Sequence, residues 1–256
     1  MSMRICLEQD YVLKTLAKSK KNDLAVVDID NIDPKYIREA VARGVHVYAY
    51  LNACALEKER DYYEQFKDLR IAPYSGWPGE YWVDVTAEKW QKHLLSEAER
   101  FKEAGAKGLY FDNTDLYYMC ISGFRKDTEL IKPAPRAWSV YDTLKNVMNT
   151  LVHDVGLVVM PNGGDLFVRK LINNGHKDLV KTVIQESVLY SDSKRVSPKD
   201  TAYFTEYLDW CKERGVYIRG IEYTKKLTQE TTAKAYYRRH GWQAIYISKH
   251  HSLKGD

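Results

Sequence analysis

Eight short apolar, β-rich runs recur along this chain, and segments with helical spacing separate most of them. The runs are Arg4–Leu7, Leu24–Ile29, His46–Leu51, Gly108–Phe111, Gly156–Met160, Val180–Ile184, Val216–Ile221 and Gln243–Ile247. The helical stretches include Pro34–Ala42, Ala87–Ala104, Ser139–Asp154 and Pro198–Arg214. Strands that alternate with helices imply parallel pairing through right-handed crossovers. Near-continuous apolar character is what a parallel strand buried on both faces requires. Eight such units predict an α/β fold, a single (β/α)8 TIM barrel occupying residues 1–256 as one domain, with its active-site loops at the C-terminal face of the strands. The punctuation agrees with this register. Asp33-Pro34 and Ser197-Pro198 read as N-caps followed by first-turn prolines, and Gly105, Gly215 and Gly241 follow helical stretches where a left-handed C-terminal residue stops them. The longest stretches read as irregular are Lys67–Asp84 and Ile121–Arg136, both after strand ends.

Composition removes several classes of function. Lysine plus arginine exceed aspartate plus glutamate by only four, and no run of five like charges occurs, so no nucleic-acid partner is expected. No apolar run reaches the roughly 20 residues of a membrane helix. Cys6, Cys54, Cys120 and Cys211 form no CxxC motif. No glycine-rich fingerprint follows the first strand, which weakens a dinucleotide reading. No set of His, Asp and Glu has metal-ligand spacing, and adjacent His250 and His251 read as tail. Neither cofactor nor metal is expected. Strand-like residues begin at Ile5, so no signal peptide is read and a cytoplasmic location is expected, or a secreted one if a leader preceded Met1. A monomer or weak homo-oligomer is expected.

In a barrel the C-terminal residue of each strand faces one mouth, so the strand ends carry the chemistry. They read Asp28 and Asp30; Tyr50, Asn52, Glu57 and Arg60; Asp112, Asn113 and Asp115, with Tyr117 just beyond; Asn162; Gln185-Glu186 and Tyr190; and Glu222-Tyr223. A weakly basic protein therefore gathers acids on one rim. Two carboxylates facing each other across a sugar-sized gap suit glycoside hydrolysis, one protonating the leaving oxygen and the other attacking the anomeric carbon or activating water. Asp112 and Glu186, two strands apart, are the candidate catalytic pair. Twenty tyrosines and six tryptophans add material for sugar stacking or for thick barrel walls. The other positions have two readings each. Asp28 and Asp30 bind substrate or cap a turn, or serve as the Asp-x-Asp of a metal-assisted phosphohydrolase. Glu57 and Arg60 orient substrate or form a surface ion pair. Trp82 is a sugar platform or a loop anchor. Asn113 and Asp115 orient Asp112 or close its turn. Asn162 binds a hydroxyl or sits in an ordinary Pro-Asn-Gly turn. Glu222 raises the pKa of Glu186 by like charge or pairs with a cation.

Several of these pieces together resemble a known family. Tyr50-Leu-Asn-Ala with Glu57 and Arg60, Trp77-Pro-Gly-Glu-Tyr-Trp-Val-Asp84, Gly108-Leu-Tyr-Phe-Asp-Asn-Thr-Asp115, Pro161-Asn-Gly163, Gln185-Glu186 and Glu222-Tyr223 are similar to the motifs of glycoside hydrolase family 114, the endo-α-1,4-polygalactosaminidases. The resemblance implies a barrel that cleaves α-1,4-linked galactosamine or N-acetylgalactosamine polymers with an Asp and a Glu, which fall on Asp112 and Glu186; by analogy with other barrel α-glycosidases, Asp112 is expected as nucleophile and Glu186 as acid/base in a retaining reaction. It implies an amino-sugar oligo- or polysaccharide as the partner, and the candidate residues to bind it are Asp28, Asp30, Tyr50, Asn52, Glu57, Arg60, Trp82, Asn113, Asp115, Tyr117, Asn162, Tyr190, Glu222 and Tyr223. A carbohydrate-binding barrel without turnover is the alternative on the same scaffold.

Overall fold

The computed structural model describes residues 2–124, 128–251, 253 and 255. In chain order its elements are β1 (Met3–Cys6), α1 (Gln9–Lys18), β2 (Leu24–Val27), α2 (Pro34–Ala42), β3 (His46–Asn52), β4 (Ala55–Glu57), α3 (Tyr63–Phe66), β5 (Arg70–Pro73), β6 (Glu80–Val83), α4 (Glu88–Ala104), β7 (Gly108–Asp112), α5 (Leu116–Ser122), α6 (Ala137–Asn149), β8 (Val158–Pro161), α7 (Asp165–Asn173), β9 (Thr182–Glu186), β10 (Tyr190–Ser191), β11 (Lys194–Arg195), α8 (Pro198–Glu213), β12 (Tyr217–Tyr223), α9 (Leu227–His240) and β13 (Ala244–Ser248). All eight predicted runs form strands, and all pair in parallel. The predicted caps form as well: the Asp33 carboxylate accepts from the Lys35 N–H, and the Ser197 hydroxyl accepts from the Asp200 N–H.

The parallel strands fall into two sheets, β1-β2-β3-β7-β8 and β13-β12-β9. An isolated parallel bridge, Asn162 with Ile184, joins β8 to β9. One buried cluster draws on all eight of these strands, including Ile5, Val26, Tyr50, Tyr110, Met160, Ile184, Ile221 and Tyr246. A second, larger cluster lies between strands and helices, with Trp90, Phe101, Phe167 and Tyr207 among its largest side chains. Each strand is therefore buried on both faces, as its sequence predicts.

The stretch Lys67–Asp84 is a correction to the sequence reading. It holds β5 and β6, which form an antiparallel sheet in the order β4-β6-β5. These strands are three or four residues long and a register shift interrupts their pairing, so neither a period of two nor an apolar run marks them. The described residues of the segment Ile121–Arg136 form no strand; they connect the end of α5 to α6, and residues 125–127 lie outside the described residues. No helix among the described residues is long and apolar enough to cross a membrane.

Candidate active site

The C-terminal ends of the parallel strands surround a cavity of about 740 Å³. Asp112 is the last residue of β7, and there the chain turns sharply, with Asn113 at φ 65°. Asparagine tolerates this left-handed conformation better than most residues. The turn lets the Asn113 N–H donate to Asp112 Oδ1 at 2.9 Å, while the Asn113 side-chain amide donates to Asn52 Oδ1 at 2.9 Å. Asn52 in turn donates to Glu57 Oε1 at 2.8 Å, and the Tyr50 hydroxyl donates to the same oxygen at 2.7 Å. A continuous hydrogen-bonded line thus runs from Glu57 to Asp112.

Asn162, just past β8, joins the two sides of the cavity. Its side-chain NH2 donates to Asp112 Oδ1 at 2.9 Å and to Glu186 Oε1 at 2.8 Å. Both oxygens within reach of one nitrogen cannot be more than about 6 Å apart, and the roughly 120° between the two N–H bonds places them near 5 Å. Glu186, the last residue of β9, also accepts from the Tyr110 hydroxyl at 2.9 Å and from the Tyr223 hydroxyl. Asp112 Oδ2 has no hydrogen-bond partner among the described residues. Burial, and then the charge of Glu186, push the Asp112 carboxyl up to about 7, against the opposing pull of Asn162 and the Asn113 N–H.

Asp115 supports the turn that carries Asn162. Its Oδ1 accepts from the Gly164 N–H at 3.0 Å, and burial raises its carboxyl to about 6. Gly163 and Gly164 both have positive φ, and a Cβ on Gly164 would fall 2.0 Å from Thr114 Oγ1. Only glycine lets this turn lie directly on the Thr114-Asp115 corner.

Of the predicted site residues, the cavity wall includes Asp112, Glu186, Tyr50, Glu57, Arg60, Asn113, Asp115, Asn162 and Tyr223. Asn52 stands behind that wall. Asp28 and Asp30 face an adjoining cavity of about 500 Å³. There Arg60 pairs with Asp28 at 2.8 Å and Asp30 at 2.6 Å, and with Glu57. The surface ion-pair reading of Glu57 and Arg60 is thereby corrected: the guanidinium is largely buried among three carboxylates. The Asp28 carboxyl, raised to about 6 chiefly by burial, has this guanidinium beside it. Trp82 is buried and packs on Tyr74 with ring centres 4.4 Å apart, an anchor for its loop. Tyr117 packs on Tyr141 and Phe167 in the outer cluster. Glu222 is fully buried and is neither paired with a cation nor turned to Glu186. It accepts from the Leu189 and Tyr190 backbone N–H groups, at 3.1 and 2.7 Å, and from the Tyr237 hydroxyl at 3.1 Å. Tyr190 contributes that backbone donor, and its buried side chain lies away from the cavity wall.

Other wall residues escaped the sequence reading. Tyr110 sits inside an apolar run that conceals its hydroxyl. Glu80 lies on β6, whose sheet was not foreseen. Trp77, Tyr118 and Tyr203 present exposed rings at the rim. His251, read as tail, stacks on Tyr223 at 4.2 Å and pairs with Asp192 at 2.8 Å.

Comparison with known proteins matches this geometry to a family. The structure superposes on the glycoside hydrolase domain of PelA from Pseudomonas aeruginosa with a TM-score of 0.77 at 17% identity, covering 100% of this chain and 97% of that one. It superposes on Ega3 of Aspergillus fumigatus, solved in complex with galactosamine, with a TM-score of 0.71 at 15% identity, over 96% and 90% of the two chains. At these identities the likeness concerns the fold. An uncharacterized protein of Thermotoga maritima is 20% identical over 216 residues, and the match covers 78% of this chain and 64% of that protein. The profile of glycoside-hydrolase family GH114 matches residues 6–255, nearly the whole chain with every strand end described above, and the chain therefore belongs to that family.

Proposed function

We propose that this protein is a glycoside hydrolase that cleaves α-linked oligo- or polysaccharides containing galactosamine, through a covalent glycosyl intermediate. The observation that carries the reading is the single Asn162 amide shared between Asp112 and Glu186. A separation near 5 Å suits retention, where one carboxylate attacks the sugar directly; inversion needs roughly 6.5–9.5 Å to admit a water. In this reading the free Asp112 Oδ2 attacks the anomeric carbon as the glycosidic bond breaks. Glu186 gives its proton to the departing oxygen. Glu186 then takes a proton from water, which displaces Asp112 and restores both groups. The Tyr110 and Tyr223 hydroxyls hold the Glu186 carboxyl in place through both steps. Galactosamine as the sugar is supported by family membership and by the galactosamine bound to Ega3. We also read the two parallel sheets as arcs of one closed (β/α)8 barrel, supported by their shared inner cluster and the Asn162–Ile184 bridge.

The test is release of reducing ends from α-1,4-linked galactosamine and N-acetylgalactosamine oligomers. Asp112→Asn and Glu186→Gln are each expected to lower kcat by at least about 10³-fold with unchanged circular dichroism. Proton NMR of the first product should show the α-anomer. Full activity in both variants, or oligomer binding without any cleavage by the native protein, would refute the assignment.

A further inference from the structure

The cavity wall includes a carboxyl that no described residue partners. Glu80 opens β6, and its Cα partner across the antiparallel ladder is Glu57 on β4. Like charges directly opposite one another destabilise a sheet. Glu57 is compensated by Arg60, Tyr50 and Asn52. Glu80 is half-buried in the cavity wall, and its carboxyl makes no hydrogen bond or ion pair with any described residue. Two further buried atoms of residues on this wall lack partners, Asn162 Oδ1 and Gln185 Oε1, and both are acceptors. Those two atoms are buried, whereas the half-buried Glu80 carboxyl is open to a ligand, and an ammonium group supplies the donor it lacks.

We infer that Glu80 is the specificity residue of this cavity, receiving the ammonium group of a galactosamine unit and selecting it over the acetamide of N-acetylgalactosamine. The inference rests on the proposed amino-sugar substrate and adds the residue that reads the amine. An ammonium ion beside Glu80 lets its carboxyl ionise opposite Glu57, whereas an acetamide brings no charge and more bulk. Protonation accords with this. Burial first, then Glu57, Asp112 and Glu59, raise the Glu80 carboxyl to about 8, and Arg60 opposes them. In the empty cavity at pH 7 Glu80 thus holds a proton, which an arriving cation expels. Local rules of sheet pairing broken at a cavity wall are where function is expected to have overridden stability.

The experiment is calorimetric titration at pH 7 of the Asp112→Asn protein, with and without Glu80→Gln, using α-1,4-linked tetragalactosamine and its fully N-acetylated counterpart. With Glu80 present, the amine form should bind at least about tenfold more tightly, consistent with a charge-assisted pair. It should also release protons, detected as a dependence of the heat on the buffer's ionisation enthalpy. With Glu80→Gln the preference should fall to about one and that part of the proton release should vanish. A preference that survives Glu80→Gln overturns the inference, as does a parent protein with no preference. An equal loss for both ligands assigns Glu80 a merely structural role and overturns it too. Because the readout is binding, it stands apart from the cleavage test: native protein that cleaves only N-acetylated oligomers keeps the hydrolase reading while Glu80 fails.

Discussion

At the scale of single residues, Asn162 ties the two proposed catalytic carboxyls together. One amide neutralises part of two carboxylates that would otherwise repel across a buried gap, and no other common side chain offers two diverging donors without charge except glutamine, which is longer. Asn162→Ala is expected to lower kcat/KM about 100-fold. The sign of its pH effect follows from the pull Asn162 exerts. It lowers the Asp112 pKa, so its loss raises it. Ionised Asp112 is then reached only at higher pH, and the rising limb of the kcat/KM profile should move upward. Activity at pH 5 should fall more than activity at pH 7, which initial rates across pH 4.5–8 will show. For the native protein the rising limb should lie near pH 7, the value to which burial and then Glu186 push the Asp112 carboxyl. Part of this residue's role was legible in the sequence. Pro161-Asn162-Gly163 marks a turn by local rules, and its position after a strand places it at the mouth. The bridge was not legible, because its acceptors lie 50 and 24 residues away in sequence and meet only when β7, β8 and β9 are side by side.

At the scale of elements, α9 and β12 interlock around a missing side chain. A Cβ on Gly220 would fall 1.9 Å from the Tyr237 hydroxyl oxygen, so the ring of a helix residue lies directly on the strand backbone. From there Tyr237 reaches Glu222, whose carboxylate also gathers the Leu189 and Tyr190 N–H groups and so fixes the chain leaving β9. Gly220→Ala should cost about 1–3 kcal/mol in urea denaturation, the usual range for overpacking a tight site. Tyr237→Phe should cost about 1 kcal/mol, the net value of one hydrogen bond. Tyr237→Phe should not rescue Gly220→Ala in the double variant, since the ring's Cε1 and Cζ would still lie 2.2 and 2.3 Å from the new Cβ. The eight parallel strands and the long helices were visible because each carries its own periodicity and caps. The short antiparallel sheet β4-β6-β5 and the hairpin β10-β11 were not. Their two to four residues hold no periodic pattern, and they exist through pairing with one another. Glu222 was misread for a related reason: a strand-end acid looks the same in sequence whether it faces a substrate or a ring of backbone donors.

At the scale of the whole molecule, the acids buried around the strand ends set how stability depends on pH. Burial is the foremost cause that raises Asp28 to about 6, Asp112 to about 7, Asp115 to about 6, Glu222 to about 7 and Glu80 to about 8. Between pH 4 and 8 the folded protein thus holds protons that the unfolded chain has released. Their stabilising effect is complete below the unfolded values near 4 and is lost as pH rises through the folded ones. The melting temperature should therefore be at least about 5 °C lower at pH 8.5 than at pH 5.5, a few kcal/mol for a chain of this size. Asp112→Asn should make the dependence shallower. A melting temperature that rises over that interval would contradict the burial of these groups. The arrangement also separates two tasks. Asp112 and Glu186, the proposed catalytic pair, end parallel strands of the main sheets, whereas Glu80, Tyr74 and Trp77 ride on the antiparallel insertion between β3 and α4. That insertion is clamped at its base by the Trp90 indole N–H on the Ala53 carbonyl at 2.8 Å and by the Val83 N–H on the Cys54 carbonyl at 2.9 Å. Residues 53–87 consequently form a cassette with its own hydrogen-bonded frame. Grafting a different insertion onto this base is expected to change which substituted polymer the cavity accepts while Asp112 and Glu186, the proposed catalytic pair, keep their places at the strand ends.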